Sequence, residues 1–198
     1  VKRWFKGEAS KDPDKYYATK VLREEGFKRG QCEECGTYYW STDEGRATCD
    51  DPACSGGFRF FEDNPTKEPM DYVQTWKAFK KLMEKRGYTA IERYPVIARW
   101  RADTEFVQAS IYDFQPYVVT GEVDPPANPL VVPQFSLRFN DVDNVGVTMS
   151  HMTGFVMIGQ HAFMPKEEWD QDKVFRDIYA WLREGLGLPK DEITFHED

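Results

Sequence analysis

Apolar residues recur at helical spacing in two stretches of the chain. The first stretch predicts a helix over 71–86, which Gly87 ends. The second predicts a helix over about 167–184, which Gly185 ends. The apolar positions on these two predicted helices are Val73, Trp76, Phe79, Leu82, Met83, Trp169, Val174, Ile178, Trp181 and Leu182.

A shorter helix is predicted to begin at Asp12-Pro13 and to run to about Glu25, where Gly26 ends it. Extended apolar runs predict strands at 88–97, 105–111, 115–120, 130–139, 153–158 and 192–196. Three prolines within 124–129 predict a rigid loop between two of them. Strands that pair without crossover helices, set between helices, indicate an α+β fold with an antiparallel sheet.

All four cysteines of the chain fall within 23 residues. They are Cys32, Cys35, Cys49 and Cys54, in the pattern C-x2-C-x13-C-x4-C. Two close pairs at this spacing are typical of four thiolates around a tetrahedral zinc ion, and residues 38–40 and 46–48 are predicted to form a zinc-ribbon hairpin between them. Two disulfides or four unrelated thiols are the alternatives, and the lack of an apolar secretory segment disfavours disulfides. Four thiolates leave no position for water, so the predicted zinc is structural.

Composition excludes several classes of protein. With 40% hydrophobic and 15% aromatic residues among 198, the chain has the composition of a folded domain. No apolar run approaches the roughly 20 residues of a membrane span, so we expect a cytoplasmic protein. The net charge of −8 excludes a generally basic nucleic-acid coat. Residues 65–101 nevertheless carry nine Lys or Arg against four Asp or Glu, which fits either RNA contact or a solvated helix face.

The second half of the chain contains seven short segments rich in aromatic, proline and acidic residues. They are 94–96, 100–101, 109–116, 124–130, 137–139, 141–146 and 151–163. In order and spacing they resemble the ATP-binding side of archaeal-type alanyl-tRNA synthetases. That family carries a similar four-cysteine insert near its N-terminus. The resemblance implies a helix and zinc ribbon over 1–62, followed over 63–198 by a class II synthetase-like antiparallel sheet flanked by helices, with motifs 1 and 2.

The resemblance also implies a chemistry, ATP-dependent activation of alanine assisted by Mg²⁺. The ATP- or substrate-binding positions that it implies are Arg138, Asp141, Asn144, His151 and Phe163, with Phe163 as the aromatic that stacks on the base. For Arg138 a structural ion pair with the nearby carboxylates is an equally weighted alternative. No Ser/His/Asp or Cys/His spacing supports nucleophilic catalysis.

Two positions depart from the family pattern. Where motif 2 of the family has an Arg and, six residues on, a Glu, this chain has Ser150 and Val156. Motif 3 lies downstream of residue 198. We therefore expect weak or no aminoacylation, from either a piece of a longer synthetase or, as the substitutions favour, a stand-alone paralogue. The alternative is a non-catalytic zinc-containing module that binds tRNA, a synthetase or another protein, with an open sheet edge that a homodimer would cover.

Overall fold

The computed structural model describes residues 2–57, 64–147 and 151–197. Its elements in chain order are α1 (Lys2–Ala9), α2 (Pro13–Tyr16), α3 (Thr19–Glu24), β1 (Lys28–Gln31), β2 (Tyr38–Ser41), α4 (Pro52–Ser55), α5 (Tyr72–Lys85), β3 (Thr89–Ala90), β4 (Leu130–Leu137), β5 (Gly154–His161), α6 (Gln171–Ala180) and β6 (Phe195–His196). Short 3-10 turns lie at Ser110–Asp113, Val142–Asn144 and Lys190–Glu192, and a π-helical turn, Trp181–Gly185, extends α6. Helices and strands come in short alternating groups along the chain, and the paired strands are mostly antiparallel, as in an α+β fold.

The chain forms two compact units. Unit 1 comprises Val1–Pro69 with Asp170–Asp198, and unit 2 is Met70–Trp169. The segments expected from the sequence were 1–62 and 63–198; their boundary lies outside the described residues and stays a prediction. The grouping of the last segment with the N-terminal residues was not anticipated.

Helix α5 begins and ends where the apolar spacing predicts. The Asp71 side chain accepts a hydrogen bond from the Gln74 N–H at 2.7 Å, and the Gln74 side chain accepts one from the Asp71 N–H at 2.8 Å. This reciprocal pair satisfies two N–H groups at the helix start. Gly87, at φ +91°, adopts the left-handed conformation just beyond the other end. Phe79 and Met83 are fully buried on its apolar face.

The other predicted helices are shorter than expected. The helix expected from Asp12 to Glu25 is divided into α2 and α3, because Tyr17 is extended (φ −123°, ψ 159°). The last helix begins at Gln171, where the Asp170 side chain caps the Lys173 N–H at 2.9 Å. Trp169 therefore precedes the helix, and at 44% exposure it is not buried as predicted.

Unit 1 is built on an antiparallel sheet of order β1-β2-β6. The predicted hairpin of 38–40 with 46–48 is wrong, because Tyr38–Ser41 pairs with Lys28–Gln31 instead. Residues 42–48 form the loop that carries the chain toward the third cysteine. Behind the sheet lies a core that the two sequence-distant parts of the unit share, formed by Leu22, Phe27, Trp40, Tyr179 and Ile193.

Unit 2 is built on the β4–β5 hairpin, whose antiparallel register runs from Leu130↔His161 to Leu137↔Gly154. The two-residue β3 pairs with β4 in parallel, so this sheet is not wholly antiparallel as expected. The strands predicted at 105–111 and 115–120 are wrong: they are replaced by a single bridge between Ile97 and Phe106 and by turns. In the described part of the chain no helix has the length and apolar character to cross a bilayer.

Candidate metal centre and candidate active site

The four cysteines converge in unit 1. The Sγ atoms of Cys32, Cys35, Cys49 and Cys54 all lie within 4.8 Å of one another, and none forms a disulfide. The Sγ atoms of Cys35 and Cys49 are 3.8 Å apart. Zn–S bonds of about 2.3 Å in a tetrahedron place sulfurs about 3.8 Å apart. The cluster therefore has the composition and the spacing of a closed, structural zinc site.

Backbone turns position the sulfurs. After the first pair, the Gly36 N–H donates to the Cys32 carbonyl and the Cys32 N–H donates to the Thr37 carbonyl, both at 2.9 Å. Gly36 has φ +72°, a conformation that glycine adopts without a Cβ clash. Before the last cysteine, the Asp51 side chain accepts from the Ala53 N–H at 2.9 Å and caps α4. Each pair is thus held by short-range contacts, and three of the four cysteines pack around the buried Tyr39 ring.

The thiols differ in their readiness to ionise. A hydrogen bond from the Thr37 side chain is the main cause that lowers the pKa of Cys35 to about 6. Burial is the main cause that raises the pKa of Cys54 above its ordinary value. Cysteine ligands bind a metal as thiolates. The Cys54 thiol would therefore ionise with the help of the positive charge of a bound cation.

The C-terminal strand fastens this module. The Glu197 carboxylate is 1% exposed, accepts from Arg29 Nε at 2.7 Å and Nη2 at 2.6 Å, and accepts from Trp40 Nε1 at 2.8 Å. The pKa of Arg29 is raised, chiefly by its hydrogen bond to Glu197. His196 contacts the carbonyl of Cys49 through its Nε2. The C-terminal segment is therefore tied directly to one of the four clustered cysteines.

A cavity of about 490 Å³ lies in unit 2 beside the end of the β4–β5 hairpin. Its lining residues are Arg138, Asp141, Val145, His151, Met152 and Phe155. Three of the predicted site residues, Arg138, Asp141 and His151, therefore meet in one place. Arg138 directly follows β4; its Nε donates to the Gln108 carbonyl at 2.9 Å, and its guanidinium carbon lies 5.0 Å from the centre of the Phe155 ring.

The other predicted residues do not line this cavity. Asn144 ends a 3-10 turn beside it, where its N–H donates to the Asp141 carbonyl at 3.0 Å. Phe163 lies beyond the opposite end of the hairpin, roughly 25 Å away at about 3.3 Å per strand residue. Ser150 lies outside the described residues.

Val156 and Phe155 lie on opposite faces of β5. Phe155 pairs with Ser136 and Val156 pairs with Phe135 in the β4–β5 register. Side chains alternate along a strand, so Val156 is directed away from the face that carries Phe155 and the cavity.

The surroundings of Phe163 form a second, closed cluster. The Asn128 side chain accepts from the Phe163 N–H at 2.9 Å and donates to its carbonyl at 2.6 Å. The Phe163 ring lies 5.1 Å from Phe114 and is parallel to His161 at 6.0 Å. His161 Nε2 lies 3.0 Å from Ser110 Oγ, and burial lowers the pKa of His161 to about 4. The imidazole is therefore neutral near pH 7.

Gly159 and Asp113 complete the surroundings of that cluster. A Cβ atom at Gly159 would lie 2.4 Å from Ser110 Oγ, so the close approach of the serine to β5 requires glycine there. Asp113 is 2% exposed, and its Oδ2 has no hydrogen-bond donor among the described residues. Burial raises its pKa to about 7.

Sequence reasoning missed Phe155, Met152 and Val145 as lining residues. A usable signal existed, since His151 and Phe155 are separated by four residues and alternation places such positions on one face of an extended segment. The strand was predicted to begin at 153, near its true start at Gly154. Extending the alternation back across the start of the strand would have placed Phe155 on the same face as His151.

The family model for class II tRNA synthetases (A) matches residues 75–198. The alanine–tRNA ligase of Methanocella arvoryzae is 44% identical over 200 aligned residues, which cover 100% of this chain and 23% of the relative. The alanine–tRNA ligases of Cenarchaeum symbiosum and Pyrobaculum aerophilum are 44% and 42% identical over 96% and 91% of this chain. They are covered over 21% and 20% of their own length, so the chain spans about a fifth of these relatives.

Proposed function

Because the chain belongs to the class II tRNA synthetase family, we propose that it forms the nucleotide-binding part of an alanine-activating domain. In that reaction an oxygen of the alanine carboxylate bonds to the α-phosphorus of ATP, and the bond from that phosphorus to the bridging oxygen breaks to release pyrophosphate. Catalysis depends on holding the two reactants in line and on neutralising phosphate charge with Mg²⁺ and guanidinium groups. Transfer of the alanine to tRNA is proposed for the longer protein of which such a domain is part.

The meeting of Arg138, Asp141 and His151 in one cavity carries this proposal. A volume of about 490 Å³ lies within the usual range of small-ligand pockets. The Arg138 guanidinium is exposed at its edge, and its Nε contact to a backbone carbonyl fixes its direction while leaving four further N–H groups. A positioned guanidinium grips phosphate oxygens through paired, charge-assisted hydrogen bonds. Arg138 is therefore the proposed phosphate-binding residue.

We assign base stacking to Phe155 in place of Phe163. Phe155 lines the cavity that contains Arg138, whereas the Phe163 ring is packed against Phe114 and His161. A ring on the cavity wall, 5.0 Å from a phosphate-binding guanidinium, is placed for a base whose phosphates reach that guanidinium. The exposed Asp141 carboxylate, also on the wall, is available to Mg²⁺.

The proposal is tested by titrating the chain with a fluorescent ATP analogue and Mg²⁺. Arg138→Gln removes the charge and should weaken binding about tenfold or more, because a hydrogen bond to a charged group contributes about 1.5–3 kcal/mol. Arg138→Lys keeps the charge but loses the paired N–H groups of the guanidinium, so its affinity should lie between those of Arg138→Gln and the unchanged chain. Lys166→Gln, which removes an exposed charge elsewhere in unit 2, is the matched control. Equal affinity of Arg138→Gln and the unchanged chain would refute the assignment.

The reduced activity expected from Ser150 and Val156 remains a prediction. Val156 is directed away from the cavity, so having Val in place of the family's Glu at this position removes no group from the cavity wall. Arg138 already supplies one guanidinium to that wall. Alanine-dependent ATP–pyrophosphate exchange by the chain and by a Ser150→Arg, Val156→Glu double variant measures the effect. A gain on the order of 10²-fold would show that these positions limit catalysis. Binding of ATP without exchange in either protein would instead favour the non-catalytic module.

The cysteine cluster is proposed to hold zinc in a structural role. Four sulfurs complete a tetrahedral coordination sphere, so no step of the reaction is assigned to the metal. The module would stabilise unit 1 and offer a rigid surface to tRNA or to a protein partner.

A further inference from the structure

We propose that the surface around Trp100 in unit 2 binds an unpaired nucleotide of an RNA strand. This "Trp100 surface" consists of Tyr94, Arg99, Trp100, Arg101 and Tyr117, with the cavity beside them. None of these residues lines the cavity that contains Arg138. The choice of RNA rests on the proposed function, whereas the surface itself rests on the contacts described next.

A mostly apolar cavity of about 460 Å³ supplies a place for a base. Its walls include the Trp100 ring, Pro116 and Val119, and its polar groups include Gln115 and Thr120. The Tyr117 ring stands edge-on to Trp100, with centroids 5.5 Å apart at 84°. Aromatic walls stack on any base, and the amide and hydroxyl groups offer hydrogen bonds to its edge.

The walls are held in place before any ligand binds. Trp100 packs against the buried cluster that contains Phe114 and Leu130. The Arg101 guanidinium donates to Asp103 through Nε at 2.9 Å and to Gln115 Oε1 at 2.8 Å, and it lies 4.2 Å from the Tyr112 ring. Side chains that are already ordered lose little entropy on binding, which favours affinity.

One arginine beside the cavity is available to phosphate. The Arg99 side chain is exposed, and among the described residues it has no carboxylate within ion-pairing distance. The Arg99 guanidinium lies 3.7 Å from the Trp100 ring and 4.3 Å from the Tyr94 ring, and it donates to the Asp113 carbonyl from Nε and Nη2. Those bonds use two of its five N–H groups.

An aromatic wall with a guanidinium at its edge fits an unstacked base followed by its phosphates. Bases inside a duplex are stacked on their neighbours and are not free to enter such a cavity. Proteins that hold single strands combine stacking rings with basic groups along the backbone in this way. The surface therefore favours a single-stranded segment over a duplex.

The test is fluorescence anisotropy of a labelled single-stranded RNA tetranucleotide with the full chain. Trp100→Leu should weaken binding about tenfold or more, since stacking of one base is a large part of such affinity. Arg99→Gln should weaken binding and lower the slope of log affinity against log salt by about 0.7, the value for one lost phosphate contact on a single strand. Trp169→Leu, the same change at an exposed Trp of unit 2 away from this surface, should change nothing.

Three results would overturn the proposal. They are equal affinity of Arg99→Gln and the unchanged chain, equal affinity for a duplex of the same length, and full displacement of the RNA by ATP at its binding concentration. Arg99 is exposed, so its variant keeps the test valid if Trp100→Leu fails to fold. ATP binding is measured separately, and Arg138→Gln should impair it while leaving RNA binding intact. A failure of the ATP site is thereby distinguished from a failure of the Trp100 surface.

Discussion

The cysteine cluster of unit 1 and the cavity of unit 2 are assembled in different ways. The four cysteines lie within 23 residues, and local turns aim them at one point. The cavity takes Arg138 from the end of one strand, Phe155 from the start of the next and His151 from the segment between them. A short-range site is defined by its own spacing, whereas the cavity exists only when the hairpin has its correct register.

The largest expected effect is the loss of the metal centre. Cys49→Ser replaces a ligand that is 1% exposed with a poor one, so the chain should lose its zinc equivalent and the cooperative unfolding of unit 1. Structural zinc contributes on the order of 10 kcal/mol or more in small modules, which is comparable with the whole stability of a typical domain. Elemental analysis and thermal unfolding measure the two effects.

The adjacent change Thr48→Ser is the control for this substitution and should retain the metal. Binding of one zinc equivalent by Cys49→Ser with unchanged unfolding would contradict the structural role. Unit 2, which contains no cysteine, should keep its own transition in every case.

A smaller effect is expected from the ion pair that closes unit 1. Glu197→Ala leaves Arg29 and the Trp40 N–H without their acceptor and should lower the free energy of unfolding by about 3 kcal/mol. Glu192→Ala, at an exposed acidic residue of the same segment, should change it by less than about 0.5 kcal/mol. Urea unfolding monitored by tryptophan fluorescence compares the two variants. Equal unfolding midpoints would show that the Glu197–Arg29 contact does not stabilise unit 1.

An effect of similar total size, but gradual with pH, is expected in unit 2. His161 has a pKa of about 4 in the folded chain against its ordinary 6.5, so the unfolded chain binds more protons between these values. Its contribution to stability is complete above about pH 6.5 and is lost as the pH falls toward 4, in total about 3 kcal/mol. His161→Gln should remove this loss, so the variant should gain stability relative to the unchanged chain as the pH falls from about 6.5 toward 4, as measured by urea unfolding at several pH values.

The contribution of Asp113 to stability changes with pH in the opposite direction, so an Asp113 variant is the control for that measurement. Its folded pKa of about 7 is above the ordinary 3.8, so its contribution is complete below about pH 3.8 and is lost as the pH rises to 7. Asp113→Asn should therefore stabilise the chain toward neutral pH without changing the loss assigned to His161. An unchanged acid profile in His161→Gln would rule out the histidine as its source.

These two regions also show what the sequence can predict. The cysteine cluster, helix α5 and the approximate positions of strands β4 and β5 were predicted correctly, because each has its signal in nearby residues: ligand spacing, apolar residues at helical spacing, and apolar runs. The hairpin partner of β2 was wrong, because Lys28–Gln31 is polar and pairs through its backbone. Phe163 was predicted as the stacking ring and Phe155 was not considered, because the meeting of Phe155 with Arg138 depends on the β4–β5 register, which is a tertiary property.

The path of the chain has a consequence for its synthesis. Unit 2 is continuous, whereas unit 1 needs both Val1–Pro69 and Asp170–Asp198. Tyr179 and Ile193 belong to the unit 1 core, and Glu197 neutralises Arg29. On the ribosome the cysteine module would therefore emerge before unit 2. Its core would stay incomplete, with part of its apolar surface exposed, until more than a hundred further residues are synthesised. Early capture of zinc would hold that partly folded intermediate together until the last segment completes the core.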